Sequence, residues 1–313
     1  MSDPLLRIQN LRVQFGRFLA VDDLSFTLYA GQLLGMIGPN GAGKTTTLRA
    51  AAGLQAPSTG SIHVLGFDVT QHRTEVGYHL GFAPDSPQAY DALTVEQFLR
   101  FIGYCYKLPG PLLSERIDHW LEALWLNEKR AAKVGALSRG MRQRLTVART
   151  LLPDPHVVLL DEPAAGLDPA GRIQFRQLLA SLRDQGKAVI VSSHILADLA
   201  EYCTHIAIME RGRVKSYGTV AQVAGAGGAD RCHYRVRLAQ SVGDAATRLA
   251  AIPNTVVVQV DSDQLTLEAG AERSDAAALL AALIHAGLPV AEFHAQRPDL
   301  EQAYLRSGIG QVD

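Results

Sequence analysis

Residues 38 to 45 read Gly-Pro-Asn-Gly-Ala-Gly-Lys-Thr, the glycine, lysine and hydroxyl spacing of a phosphate-binding loop. Gly38, Gly41 and Gly43 let the backbone around Asn40 and Ala42 turn its amides toward an anion, and a helix starting there would add the positive end of its dipole. Lys44 is then placed to reach terminal phosphates, Thr45 to ligate Mg²⁺, and Thr46 to add a second hydroxyl. A second candidate is Asp161-Glu162, which closes the apolar run Val157 to Leu160. Open α/β sheets present ligands at the carboxyl ends of their strands, so Asp161 is suited to support Mg²⁺ there. Glu162 would orient and deprotonate an attacking water, because phosphoryl transfer relies on positioning and charge stabilisation. Alone, such a pair is also an ordinary strand end. His194 ends another short apolar run, VIVSSH. A lone histidine there is ordinarily a cap or a surface residue, so its meaning depends on its company.

These residues need a sheet to carry them. Gln32 to Ile37 is continuously apolar and leads through the glycine loop into a helical stretch ending near Gly53. Val157 to Leu160 and Ala188 to Ser192 are apolar runs of the kind buried in a parallel sheet, with a helical pattern from Pro169 to Gln185 between them. Leu5 to Phe15 and Leu24 to Tyr29 alternate apolar with polar residues, which predicts half-buried antiparallel strands. From about Thr94 to Leu151 the pattern is helical, with Thr94 as a cap and Pro109-Gly110-Pro111 as a break. The core is therefore α/β.

The small-residue stretch AGAGGA around Gly225 to Ala229 marks a domain boundary. Beyond it the order strand (234–238), helix, strand (255–260), turn, strand, helix (276–286), strand predicts an α+β ferredoxin-like domain. Leu279, Leu280, Leu283 and Ile284 recur at helical spacing and are expected to form its core.

A chain of 313 residues, with 47% hydrophobic and 19% charged residues, suits one large folded domain plus a small one. A net charge of -1 supplies no electrostatic footprint for nucleic acid or an anionic membrane. Cys105, Cys203 and Cys232 are too scattered for a ligand cluster or a disulfide framework. The N-terminus lacks a signal-peptide pattern, and no apolar run approaches the roughly 18 residues that span a bilayer. These features place the chain in the cytoplasm, with any membrane contact made through another protein.

Phe15, GPNGAGKT, the segment LSRGMRQR from Leu137, VVLLDEP, GLD ending at Asp168, and His194 occur in the order found in ABC ATPases. Residues 1 to about 220 resemble the nucleotide-binding domain of that family. The resemblance implies a P-loop domain with a mixed sheet core, an antiparallel β subdomain and a helical subdomain at about 88–155, followed by a linker at 221–230 and an accessory domain at 231–313. It implies ATP and Mg²⁺ as ligands, with Phe15 stacking on adenine in place of the usual tyrosine. Gly38, Asn40, Gly41, Ala42, Gly43, Lys44, Thr45 and Thr46 would bind the phosphates, and Lys44, Glu162 and His194 would take part in hydrolysis. Ser138 and Gly140 would close over the ATP of a second subunit, in a homodimer or a heterodimer. The start of their helix offers a hydroxyl, free amides and a dipole to an anion.

Two motifs depart from the family pattern. LSRGM stands where LSGGQ is commonest, adding the charge of Arg139 and losing an amide at Met141. Asp85 occupies the position that usually holds glutamine, offering a shorter, charged oxygen to Mg²⁺. The signature, the chain length and the tail RPDLEQAYL resemble ATP-binding subunits of bacterial ABC-2 type exporters, which pair with a separate permease on the inner face of the plasma membrane. In that reading the segment from Asp85 to about Lys107 contacts the permease. The rival reading, an ABC ATPase acting as a nucleotide-gated clamp in repair or translation, expects long coiled-coil insertions or two motor domains. This chain has one phosphate loop and a short stretch between Lys44 and Asp161.

Overall fold

The computed structural model describes residues 3–86, 90–224, 231–250, 252–270, 272–296 and 304. Most of AGAGGA, and the tail RPDLEQAYL apart from Tyr304, lie outside them. The chain forms two compact units that divide at Tyr217/Gly218.

The first unit opens with β1 (Leu6–Phe15), β2 (Phe18–Leu28), β3 (Leu33–Ile37), α1 (Lys44–Ala51), β4 (Thr59–Val64), β5 (Phe67–Asp68), α2 (Arg73–His79) and β6 (Leu80–Ala83). It continues through α3 (Val95–Cys105), α4 (Gly110–Ala123), α5 (Arg139–Leu151), β7 (Val157–Asp161), α6 (Pro169–Asp184), β8 (Ala188–Ser193), α7 (Leu196–Tyr202), β9 (His205–Glu210) and β10 (Arg213–Thr219).

A six-stranded sheet runs in the order β10-β9-β3-β8-β7-β6, with β9, β3, β8, β7 and β6 parallel to one another. Every residue of β3, β7 and β8 is buried, as expected of parallel strands covered on both faces. The order matters for chemistry, because it sets the carboxyl ends of β3, β8 and β7 side by side. A second sheet, β2-β1-β4-β5, is antiparallel, with Leu6 opposite Leu28 and Ile8 opposite Phe26. Its inward residues Leu6, Ile8, Leu11 and Val13 join Leu48 of α1 in one core.

Strand β2 starts earlier than the alternation predicts. Asp22-Asp23 has the look of a turn, but buried Asp22 is held by Arg12 at 2.8 Å and Arg213 at 2.5 Å, which compensates its charge inside the ladder. The bond from Arg213, then that from Arg12, holds the Asp22 carboxyl below the usual carboxylate range. In the helical part, Thr94 caps α3 through a reciprocal box with Gln97, and α4 begins at the Pro109-Gly110 break.

The second unit contains α8 (Val220–Val223), β11 (Arg231–Leu238), α9 (Ala245–Ala250), β12 (Val256–Asp261), β13 (Gln264–Gly270), α10 (Arg273–His285) and β14 (Val290–Gln296). Its sheet runs β12-β13-β11-β14 with antiparallel pairings, the topology of a βαββαβ ferredoxin-like domain. The helical stripe needs a correction. Leu279 and Leu283 enter the core with Tyr234, Val236 and Leu267, but Ile284 is 59% exposed. α10 shares this core with Ala245 and Leu249 of α9, and buries a narrower face than the four apolar positions span.

Candidate active site

The loop between β3 and α1 is shaped by close approach. A side chain at Gly38 would place its Cβ 2.2 Å from the carbonyl oxygen of Met209 on β9, and one at Gly43 would lie 2.5 Å from that of Ala20. Gly43 also has φ of +103°, which L residues rarely adopt. The chain can therefore lie flat against β9 and the β1–β2 hairpin before α1 begins.

Lys44 is the first residue of α1 and is buried. Its ammonium donates to the carbonyls of Gly38 at 2.6 Å and Pro39 at 3.2 Å, bridging the loop from inside. Burial pushes its pKa down, while the charges of Glu162 and Asp161 act in the opposite sense. Of the three threonines that follow, Thr47 turns inward and its hydroxyl donates to the carbonyl of Gly43 at 2.9 Å. Thr45 and Thr46 remain at the loop surface.

Asp161 lies at the buried end of β7 and accepts a hydrogen bond from Ser192 Oγ at 2.6 Å. The same hydroxyl accepts from the backbone amide of Glu162 at 3.0 Å. Ser192 thus fixes the turn in which Glu162 takes a positive φ of 46°. It is a positioning residue that motif reading missed, although it lies inside VIVSSH. Glu162 Oε2 lies 2.9 Å from Nδ1 of His194, which follows β8. The imidazole is largely exposed and the carboxylate mostly covered, so the pair faces solvent from the histidine side.

A cleft of about 250 Å³ brings together Asn40, Gly41, Ala42, Gly43, Lys44, Thr45, Thr46, Asp85 and Glu162, with Phe18 and Ala20 on the hairpin side. The aromatic lining this cleft is Phe18, not Phe15. The two are paired across the hairpin, and both rings are exposed, Phe15 by 47% and Phe18 by 62%. Motif position points to Phe15; only the fold of the hairpin shows that Phe18 borders the cleft.

Ser138 and Gly140 are not part of the cleft lining. Ser138 caps α5, its hydroxyl accepting from the amide of Met141 at 3.3 Å. Gly140 lies against the loop after Glu162, where a Cβ would be 3.0 Å from the carbonyl of Gly166. Arg144 of α5 reaches Asp168 at 3.6 Å, and Asp168 caps α6 by accepting from Gly171. The signature helix and the loop leaving Glu162 are thereby joined, with Ser138 at an exposed helix start.

The donor set fits a nucleoside triphosphate with a hard divalent cation. The glycine loop leaves space where side chains would clash, a buried ammonium stands in the loop, and hydroxyls and carboxylates surround it. Lys44, Thr45, Thr46 and the loop amides suit the phosphates, while Thr45, Asp161 and Asp85 offer oxygens to Mg²⁺.

Comparison with known proteins agrees with this geometry. Residues 21–165 match the sequence profile of the ABC transporter family. The Nod factor export ATP-binding protein I of Ralstonia nicotianae is 37% identical over 217 residues, covering 69% of this chain and 68% of that protein. The uncharacterised ABC transporter ATP-binding protein YhcH of Bacillus subtilis is 39% identical over 215 residues, 67% of this chain and 68% of its own length. A solved ATP-binding subunit of an ABC transporter superposes with a TM-score of 0.67 at 28% identity, covering 70% of this chain and 91% of that one. The cbiO1 component of the Clostridium perfringens cbiONQ transporter gives 0.64 at 26% identity, covering 71% and 91%. With the loop, the paired carboxylates, the histidine and the sheet order already in place, these matches show that the chain belongs to the ATP-binding proteins of ABC transporters, a family of ATPases that bind ATP, typically with Mg²⁺.

Proposed function

We infer that this chain hydrolyses ATP as a dimer and drives a separate membrane permease of an ABC-2 type exporter. The observation that carries the reading is the 2.9 Å contact of His194 with Glu162, which lines the cleft together with Lys44. Glu162 would accept a proton from water, and His194 would hold the carboxylate in place for that task. Lys44 would neutralise the terminal phosphates. A bound Mg²⁺ would supply charge neutralisation at the phosphate oxygens, with Thr45, Asp161 and Asp85 as its protein oxygens.

The export direction is supported by the relatives named for Nod factor export. Among the described residues no helix is long and apolar enough to cross a membrane, so a transport role calls for a partner that does. A groove of about 700 Å³ beside Asp85 and α3, lined by Val76, Leu80, Phe82, Tyr106 and the arginines Arg49, Arg73 and Arg149, offers the permease a surface. It overlaps the segment from Asp85 to about Lys107 assigned to this contact, of which residues 87–89 lie outside the described part. The accessory unit could serve dimerisation, regulation or permease contact.

Coexpression with a six-span membrane protein, sought among the genes neighbouring that of this chain, tests the reading. The chain should then sediment with membranes and be released when the permease is omitted. Sedimentation with ribosomes or DNA in place of membranes would favour the nucleotide-gated clamp.

Asp85 supplies a narrower test. Because it lines the cleft beside Thr45 and Glu162, Asp85→Ala should raise the Mg²⁺ concentration giving half-maximal turnover, roughly tenfold on the scale of one supporting contact to a metal. An unchanged Mg²⁺ dependence would leave Asp85 a structural residue.

A further inference from the structure

At the amino ends of the strands, opposite the carboxylates, two histidines sit side by side. His79 ends α2 immediately before β6, and His156 immediately precedes β7. The parallel register, Leu80 opposite Val157, makes them neighbours. Their backbones are fastened together, His156 N donating to His79 O at 2.9 Å and Ala188 N to His156 O at 2.9 Å. The ring of Phe67 stacks on His79 at 6.2 Å with an interplanar angle of 6°, and the two imidazoles meet nearly edge to face at 5.2 Å. The ring orientations are thus set by packing on rigid elements.

The Nδ1 atoms of His79 and His156 are 3.4 Å apart. One neutral imidazole can donate a long N–H···N bond to the other at this distance, beyond the usual range of about 2.7–3.2 Å. Two nitrogen ligands of one tetrahedral ion, each at about 2.0–2.1 Å, lie about 3.3–3.4 Å apart. The pair is therefore spaced as ligands are. Asp154, the nearby acid, is engaged by Lys187 at 2.5 Å and Arg116 at 3.5 Å and does not supply a third ligand. Among the described residues no group of three or more ligating side chains occurs, so water would fill the remaining positions.

We propose that His79 and His156 form an open binding site for a borderline divalent cation of the Zn²⁺, Cu²⁺ or Ni²⁺ class, separate from the Mg²⁺ of the nucleotide cleft. Imidazole nitrogens select these ions over Mg²⁺, which prefers oxygen. The cation would tie the end of α2 to the start of the strand that carries Asp161 at its other end.

The test uses the untagged full chain without nucleotide, titrated with ZnCl₂ in excess Mg²⁺ by calorimetry. The wild-type chain should bind one equivalent through this pair. His79→Gln and His156→Gln should each weaken that binding by roughly tenfold or more, a loss at least as large as that for a supporting contact. His194→Gln should retain it, which separates the pair from the His194–Glu162 contact in the cleft. The Cu²⁺ form of the wild-type chain should show two coordinating imidazole nitrogens by electron paramagnetic resonance, a readout that needs no variant to fold. Unchanged Zn²⁺ affinity in folded His79→Gln/His156→Gln protein, loss confined to His194→Gln, or a Cu²⁺ spectrum without paired nitrogen coupling would reduce the pair to a structural contact.

Discussion

A Glu162→Gln chain should bind ATP, dimerise and stall. The glutamine keeps the size of the side chain and an oxygen for His194, and the turn is anchored through the backbone amide to Ser192, so the fold should be undisturbed. What is lost is basicity. General-base catalysis contributes about 10²–10⁴-fold, so turnover should fall by that order while ATP affinity stays close to wild type. ATP would then hold two copies together, with Ser138 of each facing the nucleotide of the other. Sedimentation with and without ATP should show a dimer that persists only with nucleotide. Ser138→Arg in the same background should abolish it, because the exposed start of α5 would carry bulk where the partner's nucleotide must fit. A Glu162→Gln chain that stays monomeric at saturating ATP and Mg²⁺, or hydrolyses at the normal rate, would overturn the sandwich mechanism.

Lys44→Ala should lose most ATP binding and hydrolysis. The ammonium is buried in the loop and bonded to two of its carbonyls, ready to exchange them for phosphate oxygens. A charge-assisted hydrogen bond is worth about 1.5–3 kcal/mol, so losing the cation should weaken ATP binding by roughly ten- to a hundredfold or more. Titration with a fluorescent nucleotide measures this directly, beside a turnover assay. Normal turnover in Lys44→Ala would show that the catalytic cleft lies elsewhere.

The motif stretches were legible because each is local. In Gly38 to Thr45 the glycines, the lysine and the hydroxyls are consecutive, and a strand-to-helix turn is enough to aim them. Asp161-Glu162 follows from the length of one buried strand, and the order of elements in the accessory unit follows from periodicity and turn residues. Strands β4, β5 and β10 were not legible because their mixed burial lacks a clear period, and β6 and β9 because periodicity alone cannot tell a short apolar strand from a helix segment. The early start of β2 was hidden for another reason: Asp22 is tolerated only because arginines from two other strands neutralise it.

By itself the sequence determined the phosphate loop, the strand-end carboxylates, the family resemblance and the α/β plan, because spacing along a backbone acts over a few residues. The tertiary structure decided what meets what. Ser192 reaches Asp161, and His194 reaches Glu162, because β8 lies beside β7 in the sheet. Phe18 lines the cleft, while Phe15, its partner across the hairpin, does not. Asp85 enters the cleft, and His79 meets His156, because β6 pairs with β7 from a distant part of the chain. Strand order and register are fixed by burying apolar faces over the whole unit, and no spacing rule within a single motif contains that information.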